Sequence, residues 1–335
     1  MKKLLKSFIC ACVSLICVFG LSACGPEKSE KAVNLIAIDG NSVGIMSDID
    51  YYVAAEPAAS AKVKAVQGLN FVGDLQSLYG GENGYPQAVV VAKNSLLGTD
   101  VLYNFTTALS ESYNWLMSDD TKIESIVGAI QSHLTDGLEP SIKVQDLTKD
   151  VIKNCGIKFV TASDSKADII SFMQKFNSVG NNSFGEPGDG FFCDATGGTE
   201  YSQKISVYAP DGAPALGLAK LMKENALSNT EYHIVNASTI QQFVSGNSPK
   251  ADICVLPVNL AVKLLGNAQN YKLVGTLTHG NLYLLSKNNV QINADNLKNL
   301  KGKTVGVVNL AAVPGLTFKL ILKSYGIEYT EPYND

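Results

Sequence analysis

The 335-residue chain is 46% hydrophobic and 17% charged, with a formal net charge of −4. An acidic balance of this kind argues against nucleic acid as a partner. Every one of the 27 basic residues is Lys, so a bidentate guanidinium clamp on a carboxylate, sulfonate or phosphate is excluded.

At the N-terminus, Lys2, Lys3 and Lys6 surround the start of an apolar stretch over 7–19, and Leu21-Ser22-Ala23-Cys24 follows. A charged start, a short apolar middle and small residues before a cut site predict a secretory signal. The apolar stretch is too short to span a bilayer comfortably. The tetrad resembles the lipobox of bacterial lipoproteins, which implies cleavage before Cys24, diacylation of its thiol and a protein held on the extracytoplasmic face of the cell membrane. Two buried acyl chains, at about 0.8 kcal/mol per CH₂, anchor without any transmembrane helix. The polar segment 25–31 then reads as a tether. No later apolar run is long enough to span a membrane, so the remainder is expected to be soluble. Loss of the three signal lysines takes 27 bases to 24 against 31 acids, a net −7.

The apolar run 33–38 predicts a strand, and Gly40-Asn41-Ser42-Val43-Gly44 after it fits the Gly-x-Ser-x-Gly pattern of a nucleophile elbow. A hydrolase using Ser42 would also need an acid and a His downstream, for which His133, His233 and His279 are formal candidates. Asp39 intervenes after the strand and no glycine-rich oxyanion motif is present, so the alternative expectation is a turn leading into a helix. Segment 49–55 predicts a strand and 58–66 a helix, joined at Ala55-Glu56-Pro57. After the strand 88–92, amphipathic patterns over 101–117 and 167–176 predict helices, with Tyr113 and Trp115 on the apolar face. The Gly-, Asn- and Pro-rich stretch 177–198 reads as a linker or surface loop. Beyond residue 200 strand and helix alternate: strands at 205–208, 252–256 and 303–308, helices at 213–223, 258–265 and 315–325. Alternation of this kind predicts an α/β fold with largely parallel sheets.

Cys155, Cys193 and Cys254 are what remains after the signal and Cys24, too few and too far apart for a disulfide framework or a zinc site. Neither a metal nor a cofactor is expected. In parallel α/β sheets ligands collect where strands end and helices begin. Four such junctions carry prolines near a helix start: Ala55-Glu56-Pro57, Ala209-Pro210-Asp211-Gly212-Ala213-Pro214, Leu256-Pro257-Val258-Asn259 and Ala311-Ala312-Val313-Pro314-Gly315. Singly each is ordinary helix-start chemistry; together they predict a shared cleft. Thr278-His279-Gly280-Asn281-Leu282-Tyr283 is a fifth candidate, with His279 either a loop histidine or a ligand contact.

The Pro-Asp-Gly-Ala-Pro run, the Val255-Leu256-Pro257-Val258-Asn259 run, Gly280-Asn281-Leu282-Tyr283-Leu284, Leu300-Lys301-Gly302-Lys303-Thr304-Val305-Gly306, Glu56-Pro57 and Tyr85-Pro86-Gln87-Ala88 together resemble the substrate-binding lipoproteins of ABC importers. The likeness is to those for nitrate, sulfonates, taurine and thiamine-pyrimidine precursors, and it extends over nearly all of the chain after Cys24. Its segments stand in a different order: the Pro-Asp-Gly-Ala-Pro segment comes first in that family, and Phe184 to Phe192 resembles its usual C-terminus. The resemblance therefore implies a circularly permuted, two-lobed periplasmic-binding-protein-like fold with a hinge, cut between the segments at Asp335 and Lys31, with Cys193 to Gln203 bridging the old ends. A rearranged gene is the competing explanation of that order. The implied division is 31–85 plus 301–335 as a split lobe and 86–300 as a continuous one.

The resemblance implies capture of a small molecule and delivery to ABC importer permease subunits by a monomer that is not an enzyme. Asp211, Gly212, Ala213, Pro214, Asn259, His279, Asn281, Tyr283, Pro314 and Glu56 are the expected lining of the cleft. Asp211 and Glu56, with no Arg in the chain, favour a pyrimidine-like or amine-bearing ligand over nitrate or sulfate. The alternatives are the Ser42 hydrolase and a surface interaction lipoprotein with no small ligand.

Overall fold

The computed structural model describes residues 29–80, 84–180, 183–227, 229–268 and 270–331. The expected signal, Cys24 and most of the tether lie outside them. In chain order the elements are β1 (Val33–Ile38), β2 (Tyr51–Ala55), α1 (Ala58–Ala65), β3 (Asn70–Asp74), α2 (Leu75–Tyr79), β4 (Pro86–Lys93), α3 (Asp100–Met117), α4 (Ile123–Gln131), α5 (Lys149–Asn154), β5 (Ile157–Thr161) and α6 (Ala162–Val179). They continue as β6 (Ile205–Pro210), α7 (Ala213–Glu224), β7 (Thr230–Val235), β8 (Ile253–Pro257), α8 (Val258–Leu265), β9 (Tyr271–His279), β10 (Leu282–Ser286), β11 (Thr304–Val308), α9 (Val313–Ser324) and β12 (Tyr329–Thr330).

The strands form two six-stranded sheets, ordered β12-β1-β11-β2-β10-β3 and β5-β9-β4-β8-β6-β7. In the first, β1, β11 and β2 are parallel and β10 runs antiparallel between β2 and β3. In the second, β6 is parallel to β7 and β8, while β4 is antiparallel to β8 and β9. The protein is thus mixed α/β, as its alternating pattern predicts, but the expected largely parallel pairing is corrected: among the described strands five pairs are parallel and five antiparallel, because β4, β5 and β10 enter their sheets against the direction of their neighbours. The chain passes from one sheet to the other between α2 and β4 and between β9 and β10. The second passage corrects the expected division at residue 300. Leu282 pairs with Ala55 and Tyr283 with Ala54, so 282–286 belongs to the first sheet and the change of sheet falls at Gly280-Asn281.

Local chemistry explains the helix boundaries. Pro at the start of α7 removes a donor that would be orphaned anyway, and Asn225 ends that helix in the left-handed region at φ 46°. Thr161 caps α6 by accepting from the Asp164 N–H at 3.3 Å, which starts the helix five residues before its apolar periodicity becomes visible. The expected loop from 177 therefore begins as the last turn of α6.

Apolar residues on α6 fill one core: Phe172 lies 4.1 Å from Phe176 and stacks 5.4 Å from Tyr85, and Phe184 and Phe191 join the same cluster. α6 packs against both β9 of the second sheet and α9 beside the first. The far face of the second sheet is covered by α3, α4 and α7, with Tyr113 and Trp115 partly buried against that core. At about 1.5–3 kcal/mol for each fully buried side chain, Leu216, Leu218 and Leu221 alone hold α7 firmly to the sheet. No helix among the described residues is long and apolar enough to cross a membrane.

Candidate functional site

The C-terminal ends of β2, β6 and β8, together with the loop after β11, border one cavity of about 330 Å³. Its walls come from both sheets: Ala55, Glu56, Pro57, Ala58, Asn281, Ala312, Val313 and Pro314 from the first, Gln87, Ala88, Ser141, Pro210 to Pro214, Ala237, Pro257 and Thr278 from the second. Small Ala and Pro side chains make most of this surface, which is why a void persists between two packed layers. The starts of α1, α7, α8 and α9 all border it. None of the four helices carries a side-chain cap at its N-cap position.

All four proline junctions expected from the sequence thus contribute to one cavity. Glu56, Asp211, Gly212, Ala213, Pro214, Asn281 and Pro314 line it. Gly212 sits at φ 115°, a conformation L side chains rarely adopt, and this lets the chain turn from Pro210 into α7. Asp211 Oδ2 accepts from the Ser141 N–H at 2.7 Å, and its Oδ1 accepts from the Gly212 N–H at 2.9 Å. The carboxyl is fixed at the cavity edge by a loop that carries no helix or strand pattern.

Glu56 is 2% exposed. Burial raises its pKa, while hydrogen bonds from Ser60 and the Asn154 side chain act the other way. The Ser60 N–H donates at 3.0 Å and its hydroxyl at 2.6 Å, so the carboxyl closes the first turn of α1. Asn281 links the two sheets here. Its side-chain amide donates to the Glu56 carbonyl at 3.1 Å, its carbonyl accepts from the Glu56 N–H at 2.9 Å, and its N–H donates to Gln87 Oε1 at 3.2 Å. The remaining Asn281 atom, Oδ1, is buried with no partner among the described residues. A buried acceptor left unmet costs roughly 1–3 kcal/mol, which a bound donor would recover. Two carboxyl groups and no Lys or His among the described lining residues suit a neutral or cationic guest with hydrogen-bond donors.

Three expected residues are placed elsewhere. Asn259 is 2% exposed within α8 and borders no part of this cavity. His279 opens onto a larger cavity of about 720 Å³, and Tyr283 onto a third lined also by Phe71 and Asn154. Strict alternation would put His279, Asn281 and Tyr283 on one side; the break between β9, which ends at His279, and β10, which starts at Leu282, interrupts it, so Thr278 and Asn281 meet the cleft while His279 and Tyr283 do not. Ala58, Gln87, Ala88, Ser141 and Ala237 also line the cleft and are not among the residues expected there; nothing in the loops of Ser141 and Ala237 signals a site, since each meets the cavity only through tertiary packing.

Ser42 lies in a short 3-10 turn, 40–42, capped by Asp39, whose carboxyl accepts from the Asn41 and Ser42 N–H groups. The turn leads to β2, not to the helix expected there, and the strand–turn–helix geometry of a nucleophile elbow is not formed. Among the described residues no group of three His, Cys, Asp or Glu side chains is placed to hold a metal ion. Compared with models of known protein families, with curated proteins and with solved structures, the chain matches none.

Proposed function

We propose that the protein is an extracytoplasmic solute-binding lipoprotein, tethered through Cys24, that captures a small amine-bearing or pyrimidine-like molecule and delivers it to an ABC importer. The observation that carries this reading is the convergence of four helix-start junctions, drawn from two separate sheets, on one cavity of about 330 Å³. At roughly 30 Å³ per water in the liquid, that volume corresponds to about eleven waters, the scale of a small organic molecule. Glu56 and Asp211 would take its donors, and the Ala and Pro walls its apolar body.

In this reading the two sheets with their helices are lobes, and the passages at α2–β4 and Gly280-Asn281 form the hinge on which they close. Circular permutation of the family order accounts for the segment order. Its support is that the two described ends lie side by side: Val33 N–H donates to the Glu328 carbonyl at 2.9 Å, and Thr330 pairs with Asn34. A cut there opens the chain without disturbing either sheet.

The test is a thermal-unfolding screen of the full-length protein in a non-ionic detergent against thiamine, pyrimidines, polyamines, amino acids, taurine, alkylsulfonates and nitrate. A ligand at 100 times its Kd adds about 2.7 kcal/mol of stability. Stabilisation by amines or pyrimidines supports the proposal; stabilisation only by nitrate or sulfonates overturns the ligand class, and none by any compound overturns the capture of a ligand of these kinds.

A further inference from the structure

A loop that belongs to the second sheet reaches a helix of the first beside the cleft. Residues 132–148, between α4 and α5, contain no helix or strand. They are rooted in the second sheet and its helices: the Thr135 N–H donates to the Ile234 carbonyl at 2.9 Å, the Gln131 side-chain amide donates to the Ile142 carbonyl at 3.2 Å, and Ile142 and Leu147 are buried in that sheet's core. Between these anchors Ser141, exposed, borders the cleft and donates its N–H to Asp211 at 2.7 Å. A loop held in this way moves with the second sheet.

Its next turn is bonded to the wall opposite. Lys64, in the last turn of α1, donates to the Gln145 carbonyl and pairs with Asp146 Oδ1 at 3.7 Å. The turn that presents both acceptors is closed by the Asp146 and Leu147 N–H groups, which donate to the Lys143 carbonyl at 3.0 and 3.1 Å. α1 starts at Ala58 in the cleft wall, and Lys64 stands about 9 Å further along it at 1.5 Å per residue. One end of this helix thus lines the cleft while the other is tied to the loop of the second sheet. Asn154, at the end of α5, also meets the first sheet, at Glu56 and at the Tyr283 hydroxyl, 3.4 Å away. The sheets are joined again through α6, which packs on β9 and on α9, with Tyr79 edge-on to Phe172. That joint is buried aromatic packing and costly to part. The Lys64 side chain is 59% exposed, and an exposed ion pair contributes little, so the tie at Lys64 is the one that opens most readily.

We propose that residues 135–147 form a strap across the mouth of the cleft and that Lys64 is its latch. Bonded to Gln145 and Asp146, Lys64 holds the two walls together; its release admits molecules to the cleft. The inference rests on the reading of the cleft as the binding site, but its test uses no ligand of that site, so the two can fail separately.

Ala55, partly buried at the end of β2, lines the cleft, and A55C places a thiol there. Full-length A55C in non-ionic detergent is alkylated with N-ethylmaleimide, alone and combined with K64A or K64R, and label on the peptide carrying position 55 is followed by mass spectrometry. The expected result is labelling about fivefold faster with K64A, the loss of one exposed pair and one charged hydrogen bond. K64R, which keeps a donor for the Gln145 carbonyl, should label at the rate of A55C alone. Label on Cys155 and Cys254, both buried, reports general unfolding and should be the same in all three proteins. Equal rates at position 55 with and without K64A overturn the proposal. So does K64R labelling as fast as K64A, or a rise at Cys155 and Cys254 in step with position 55, which would make Lys64 a general stabiliser and not a latch.

Discussion

His279 makes stability depend on pH in a way that can be worked through. Burial is the main cause that lowers its pKa from 6.5 to about 4, with the nearby Lys158 charge adding to it. The unfolded chain therefore binds a proton on this ring as pH falls below about 6.5, while the folded chain does not until about pH 4. A group whose charged form is disfavoured on folding contributes fully at neutral pH, and its contribution is lost as pH falls through that window. At 1.36 kcal/mol per pH unit, acidification from pH 7 to pH 5 costs about 2 kcal/mol through this residue alone. Glu56, with its pKa raised mainly by burial, acts with the opposite sign, since its contribution is lost as pH rises. His233, lowered mainly by burial, acts with the same sign as His279. Both are common to wild type and H279Q, so the difference between the two proteins isolates His279. Urea unfolding at pH 7 and pH 5 should show a wild-type loss about 2 kcal/mol greater than that of H279Q. Equal losses would refute the reasoning.

Three further outcomes follow from the same physics. E56Q removes a buried carboxyl from the cleft, and the affinity for any amine ligand found by screening should fall about tenfold, read by titration, while the affinity for neutral pyrimidines should change less. G280A forces a methyl group to 2.6 Å from the Gln76 side chain and 2.8 Å from the Tyr85 ring, so overpacking should cost about 1–3 kcal/mol in urea unfolding. Of the three described cysteines, Cys155 and Cys254 are buried, and burial pushes both thiols well above their ordinary range. Peptide mapping after brief alkylation of the native protein should find label at Cys193, and at the other two only after denaturation.

The elements carrying the cleft were the most legible part of the sequence. Strands and helices alternate there, and Pro214, Pro257 and Pro314 mark helix starts by a purely local effect, the fixed φ and missing donor of proline. What local signals do not reveal is which face of an extended segment meets which cavity. Asn281 and His279 stand two residues apart in one polar loop, yet only Asn281 reaches the cleft, and that choice depends on β10 pairing with β2 more than two hundred residues earlier in the chain. The same long-range pairing places the change of sheet at Gly280-Asn281, where composition gives no boundary. Ser141 was invisible for a related reason: its backbone N–H matters, through the bond to Asp211, and a backbone donor leaves no trace in residue type.

The central claim is that the cavity between the two sheets holds the ligand. Ala58 and Ala237 are exposed at its rim on opposite walls, so A58W and A237W can narrow it from either side with little cost to the core. Calorimetric titration of the best ligand from the screen into both variants and the wild type tests the claim most directly. The account predicts at least a tenfold loss of affinity in each, with unliganded stability unchanged; wild-type affinity in both variants would contradict it and place the ligand elsewhere.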